Sequence, residues 1–246
     1  MQEILNEFED LETKSAEEVV KWALEKYGDK IALASSFGAE DMVLTDIILK
    51  INSRPMLRSD SPKARIFTLD TGRLPQETYE VMEKTREKYK AKIEAYFPDT
   101  SSVEKMTEEH GPNLFYKSVD LRHLCCKVRK IEPLNRAFSG LSAWICGLRK
   151  EQAVTRAGVK KIEIDESHGG IIKINPLADW TEKDIWNYIK KKDVPYNSLH
   201  DKGYPSIGCA PCTRAIKPGE DVRAGRWWWE KPEQKECGLH SKKQGE

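Results

Sequence analysis

The sequence has no surplus of charge of either sign: 41 lysines and arginines stand against 40 aspartates and glutamates over 246 residues, a net of +1. That balance excludes a nucleic acid or an anionic membrane held by bulk charge, so any anion site must be local. No stretch approaches the roughly 18 consecutive apolar residues of a membrane span. The start at Met1, Gln2 and Glu3 lacks the basic and apolar regions of a secretory signal. These absences predict a cytoplasmic chain with neither a membrane nor a nucleic-acid partner. Internal repeats and long low-complexity tracts are missing too. In a reducing compartment the six cysteines read as ligands, catalysts or core filler before they read as disulfides.

What is present is alternation. Ser15-Ala16-Glu17-Glu18 forms a capping box ahead of the apolar stripe Val19, Val20, Ala23 and Leu24, which predicts a helix to about Tyr27. Ile31–Ala34 then reads as a buried strand, and Met42–Lys50 as a helix. Arg65–Leu69, a helix from Pro75 to Lys90, and Lys92–Phe97 repeat the pattern. Ser142–Cys146 is a further strand, Ile162–Ile164 and Ile171–Ile174 a late hairpin, and Thr181–Lys191 a helix capped by Thr181. Strands alternating with helices predict an α/β fold: a single domain with a mostly parallel, twisted sheet flanked by helices. The expected organisation is an N-terminal helical segment over 1–29, the main domain over 30–226, and a flexible tail over 227–246. Asn52–Lys63, with its two prolines, reads as a surface insertion.

The cysteines divide unevenly. Cys125 and Cys126 are adjacent on a helix predicted over Leu121–Ile131, Cys209 and Cys212 form C-x-x-C, and Cys237 stands near the end. Zinc chelates usually leave two to four residues between paired ligands, so the vicinal pair suits a single ion poorly. Neighbouring side chains about 100° apart on a helix suit two corners of an iron–sulfur cluster better. Zinc, disulfides and buried free thiols stay open on spacing alone. Cys146, on an apolar run, reads as core. Cys237 lies in a polar tail and is either a reactive thiol or an incidental surface residue; His240 reads as a solvated tail residue.

Ser35–Asp41 lies where a parallel strand hands over to a helix, a common place for phosphate. Arg149, Arg156, Lys130, Arg223 and Arg226 could build a local cationic pocket, although scattered arginines are more often solvated. Trp227-Trp228-Trp229 reads as an apolar anchor for the C-terminal loop.

Together these stretches resemble the assimilatory adenylyl-sulfate reductases, within the larger phosphoadenylyl-sulfate reductase family, from about Ile31 to His240. Ser35–Asp41 resembles its modified pyrophosphate loop, Leu69-Asp70-Thr71-Gly72-Arg73 its second nucleotide segment, and Gly147-Leu148-Arg149 with Thr155-Arg156 its arginine segment. Asn197–His200, Gly203–Cys209, Gly219–Trp229 and Glu236–His240 complete the match. The insertion at Asn52–Lys63, Lys150 and Ala153 depart from the usual pattern and bear on the finer substrate contacts.

The resemblance implies an adenine nucleotide alpha hydrolase-like fold and a [4Fe-4S] cluster on Cys125, Cys126, Cys209 and Cys212. It also implies an attacking Cys237, adenosine contacts at Ser35, Ser36, Leu69 and Gly147, phosphosulfate contacts from Lys130, Arg156, Arg223 and Arg226, and Arg149 as a further substrate-binding residue. The implied reaction turns adenylyl sulfate into sulfite and AMP through an S-sulfocysteine on Cys237, with thioredoxin or a similar dithiol as donor, in sulfate assimilation and cysteine biosynthesis. Relatives often form dimers or tetramers, which leaves a homo-oligomer open for this chain. Use of phosphoadenylyl sulfate, or of both nucleotides, is the alternative. A tRNA-modifying ATP pyrophosphatase would carry Ser-Gly-Gly where this chain has Ser36-Phe37-Gly38. An iron–sulfur redox sensor leaves the nucleotide-like loops and Cys237 unexplained.

Overall fold

The computed structural model describes residues 2–53, 65–153 and 156–231. Cys237, His240, Thr155 and most of the Asn52–Lys63 insertion lie outside the described residues. Eight α-helices are found among those described: α1 (Gln2–Leu11), α2 (Ala16–Tyr27), α3 (Ala39–Asn52), α4 (Gln76–Tyr89), α5 (Thr100–His110), α6 (Val119–Cys126), α7 (Glu132–Phe138) and α8 (Glu182–Lys192). The strands are β1 (Ile31–Ala34), β2 (Arg65–Leu69), β3 (Glu94–Tyr96), β4 (Ala143–Ile145), β5 (Ile162–Asp165) and β6 (Ile171–Ile174), in the order β3-β2-β1-β4-β6-β5. No described helix is long and apolar enough to cross a membrane.

The sheet is mostly parallel. Leu33 of β1 lies opposite Ile66 of β2 on one side and Ile145 of β4 on the other, and β4 runs parallel to β6. Strand β5 pairs antiparallel with β6, Ile164 lying opposite Ile172. Strands covered on both faces must be apolar at every position, and Ile31-Ala32-Leu33 and Ala143-Trp144-Ile145 are buried throughout.

The described residues divide into two compact units. The first, the sheet unit, takes in those of Met1–Thr68, Glu80–Glu94 and Gly140–Asn197. The second, the cysteine unit, takes in those of Leu69–Tyr79, Ala95–Ser139 and Ser198–Glu246.

The sheet unit is an aliphatic core: Leu33, Val43, Ile48, Ile145, Ile174 and Ile189 are among its buried members. Helix α2 starts at the capping box of Ser15 and Glu18, and α8 at that of Thr181 and Asp184. Asp46 of α3 has a fully buried carboxylate, which accepts from Tyr89 of α4 at 2.7 Å, Tyr188 of α8 at 2.8 Å and Lys50 at 2.6 Å. Buried charge is tolerated where donors surround it, and here they pin three helices to one point. Burial and that carboxylate push both tyrosine hydroxyls well above their ordinary value.

In the cysteine unit the predicted helix over Leu121–Ile131 is α only as far as Cys126. Lys127–Ile131 is a π turn, after which α7 opens on Glu132 and Pro133. Proline has no N–H to continue the ladder, so the carbonyls four and five residues upstream lose that donor and the helix cannot run on unchanged. A π turn also resets which side chains share a face, and such turns gather at functional sites.

Candidate active site

In the sheet unit, β1 delivers the chain into the loop Ser35–Gly38, and Phe37 adopts a left-handed φ of 58° while its ring is wholly buried. That turn folds the loop onto the first turn of α3. The Asp41 carboxylate there accepts from both the backbone N–H and the hydroxyl of Ser36, each at 2.6 Å. Ser35 Oγ accepts from Phe37 N at 3.2 Å. A carboxylate at a helix start is favoured by the dipole, yet burial dominates and raises the Asp41 carboxyl to about 6, with the Ser36 donors pulling the other way.

Gly147, just beyond β4, packs against this turn. A Cβ there would stand 2.6 Å from Asp41 Oδ1 and 2.7 Å from Glu40 Cβ, so only glycine fits. Arg149 follows, 5 % exposed; its Nε donates to Glu40 at 2.9 Å, and Nη1 to Glu151 and to the Trp180 carbonyl, both at 3.3 Å. Gln152 bridges the segment, donating to Gly147 O and accepting from Arg149 N, both at 3.1 Å, and it accepts from Arg156. The sheet unit therefore carries Ser35, Ser36, Gly147, Arg149 and Arg156.

The cysteine unit carries Leu69, Lys130, Arg223, Arg226 and four cysteines. Cys125, Cys126, Cys209 and Cys212 line one cavity with Arg73, Arg122, Arg129, Lys130, Arg226 and Trp227. The five described cysteines are thiols rather than disulfides. Among the described residues no group of three or more His, Cys, Asp or Glu side chains is set to hold a single metal ion. Burial pushes the Cys212 thiol up to about 12, helped by the neighbouring Cys209; burial also raises Cys125, against the pull of Arg129.

Thr71 ties the segment after β2 to this cavity: its Oγ1 is 3.2 Å from Cys209 Sγ, and its carbonyl accepts from Arg129 Nη1 at 2.6 Å. The Arg73 carbonyl accepts from Ala210 N at 2.8 Å, inside the C-x-x-C turn. Arg129 Nε is buried without a hydrogen-bond partner, a costly state for a charged group with only protein around it. A Cβ at Gly208 would fall 2.3 Å from Arg226 Nη2, so a larger residue there would displace that guanidinium. The cavity's soft donors and surrounding cations match what an iron–sulfur cluster asks of a protein.

Cys146 lies apart in the sheet unit, 4 % exposed; its thiol donates to Asn175 Oδ1 at 3.0 Å and is pushed up to about 12 by burial. Of the tryptophans, Trp227 is buried beside the cysteines whereas Trp228 is 39 % exposed. Sequence reasoning singled out neither Arg122, Arg129 and Thr71 as linkers nor Gln152 as a bridge. Their partners come from distant segments, and no local pattern marks them.

The mostly parallel sheet, with its loops at the carboxyl ends of β1 and β4, places the chain among the open α/β folds. The FMN adenylyltransferase of Candida glabrata shares that architecture at a TM-score of 0.57, with 16% identity over 88% of this chain and 69% of that one. The family is defined more narrowly: residues 30–215 match the phosphoadenosine phosphosulfate reductase domain, and the chain belongs to that family. It is 56% identical to the adenosine 5'-phosphosulfate reductase of Allochromatium vinosum over 212 residues, 86% of this chain and 79% of the relative. The phosphoadenylyl-sulfate reductase of Candida auris, solved as a phosphate complex, superposes with a TM-score of 0.68 at 30% identity, over 85% of this chain and 96% of that one.

Proposed function

We propose that this chain reduces adenylyl sulfate to sulfite and AMP, with Cys237 as the nucleophile and a dithiol protein of the thioredoxin kind as electron donor. The observation that carries the reading is the cavity where Cys125, Cys126, Cys209 and Cys212 meet Arg73, Arg129, Lys130 and Arg226. The 56% identity to a relative bearing that activity in its name supports it.

Those four cysteines would hold a four-iron, four-sulfur cluster through their thiolates. When bound, it supplies a compact centre of charge and cross-links the two cysteine segments. Since burial keeps protons on Cys125 and Cys212 in the protein alone, binding would release them. Arg129 Nε offers a buried donor to the same place.

In the chemical step the Cys237 thiolate attacks the sulfate sulfur. The bond from that sulfur to the bridging oxygen breaks, AMP leaves with the electron pair, and the enzyme carries Cys–S–SO3. A donor thiolate then attacks Cys237 Sγ, and sulfite departs with the electrons of the S–S bond. The donor's second thiol resolves the mixed disulfide and restores the Cys237 thiolate, so both electrons come from the dithiol. Ser35, Ser36, Leu69 and Gly147 would contact the adenosine. Lys130, Arg156, Arg223 and Arg226 would hold the phosphosulfate and stabilise charge growing on AMP, with Arg149 as a further substrate-binding residue.

The test compares Cys237→Ser with the parent protein under thioredoxin turnover. Sulfite production should fall to background while AMP still binds; full turnover in the variant would refute the mechanism. Comparing kcat/KM for adenylyl sulfate and its 3'-phosphorylated form then decides the substrate, with preference expected for the former.

A further inference from the structure

Helix α6 carries Arg122 three residues ahead of Cys125, with its side chain fully buried. The guanidinium meets the Glu230 carboxylate side-on: Nε donates to Oε1 at 3.0 Å and Nη2 to Oε2 at 2.8 Å, and the Glu230 side chain is 3 % exposed. The same guanidinium lies 4.9 Å from the centroid of the Trp227 ring, and that of Arg226 lies 4.7 Å from it. Trp227 sits at a left-handed φ of 40° and donates its N–H to the Cys212 carbonyl at 3.2 Å. Glu230 N closes a turn onto Trp227 O at 2.9 Å. The stretch Arg226–Glu230 is thus fastened to the carriers of both cysteine pairs.

A buried ion pair is a poor way to gain stability, because desolvation of two charges offsets most of their attraction and apolar residues would often serve as well. What a bidentate pair offers instead is a single geometry. None of the proposed substrate contacts or cluster ligands is Arg122 or Glu230. Glu230 precedes Cys237 by seven positions, and seven extended residues reach at most about 25 Å.

We infer that the Arg122–Glu230 pair is the anchor of the Cys237 segment, a positioning pair that fixes where the chain departs for Cys237 relative to the helix bearing Cys125 and Cys126. The inference rests on Cys237 being the nucleophile. Freeing the pair removes a fixed point seven positions before Cys237, which lowers the effective concentration of the thiol at its target. The step that suffers is therefore transfer of the SO3 group to Cys237, not nucleotide binding.

The experiment uses the full-length, cluster-loaded protein and adenylyl sulfate without dithiol, following by mass the gain of one SO3 on Cys237 in a single turnover. Equilibrium AMP binding and visible cluster absorption are measured alongside. Glu230→Gln should slow sulfonation at saturating nucleotide by about threefold to tenfold, leaving AMP affinity and absorption unchanged. Glu230→Asp, which keeps the charge but shortens its reach to Arg122, should slow the same step in the same way, and it serves if Glu230→Gln does not fold. An unchanged sulfonation rate in a folded variant overturns the anchor. So does a loss shared equally by AMP affinity and cluster absorption, which would make the pair merely structural. If the parent protein takes no SO3 on Cys237, the nucleophile reading fails, and the anchor falls with it.

Discussion

In the sheet unit the buried carboxylates are met by donors of the chain itself. Asp41 takes both donors of Ser36, Asp46 takes two tyrosines and a lysine, and Arg149 is held by Glu40. In the cysteine unit the core is smaller, with Met106, Leu114, Phe115, Val128 and Trp227 packed among three buried cysteines. Among its inner polar groups are the Cys125 and Cys212 thiols, held protonated by burial, and the Arg129 Nε with no protein acceptor. The first unit is built to stand on aliphatic burial. On the proposed function, the second would be completed by what its thiols bind, as small metal-holding domains are.

Removing a cluster ligand should separate the two most sharply. Cys212→Ala is expected to lower sulfite production by about a hundredfold or more, with hydrogen exchange accelerating over Ser198–Glu230 while amides of β1, β2 and β4 stay protected. Equal loss of protection in both units would break the comparison.

A core truncation in the sheet unit should act in the other sense. Ile145→Ala in β4 is expected to cost about 2–5 kcal/mol in denaturant unfolding, without changing the visible absorption of the loaded protein per folded molecule.

The buried Asp41 gives the sheet unit a pH dependence of its own. Its folded carboxyl is raised to about 6 from an ordinary 3.8, so its contribution is fully present below the ordinary value and is lost as pH rises through about 6. Asp41→Asn should therefore gain on the parent between pH 4 and pH 7 by about 2 kcal/mol. A constant difference in unfolding free energy across that range would contradict the burial argument.

The smallest effect expected is at Thr71, whose hydroxyl meets Cys209 Sγ. Thr71→Val should cost about 1 kcal/mol and show as faster bleaching of cluster absorption in air, with the sheet unit's unfolding unchanged.

The same contrast explains what the sequence could tell. Strands β1 and β4 are legible because continuous apolar runs between turns have few other uses, and the boxes at Ser15 and Thr181 mark helix starts by local chemistry. Helix α5 escapes notice because only Met106 is buried along it, leaving no stripe to read. The π turn after Cys126 leaves no periodic trace, since it arises from where Pro133 interrupts the ladder. The cysteines that line the cavity stand out by spacing, and the loops around Ser35, Leu69 and Gly147 by their place after strands. Arg122 with Glu230, 108 positions apart, and Arg129 with Thr71, 58 apart, are invisible to any local pattern.

The most direct measurement of the central claim is a single turnover of the cluster-loaded protein with adenylyl sulfate and no dithiol. The account predicts one AMP released for each SO3 group found on Cys237, and sulfite released only after a reduced dithiol protein is added. Sulfite appearing without dithiol, or the SO3 group residing on another residue, would contradict it.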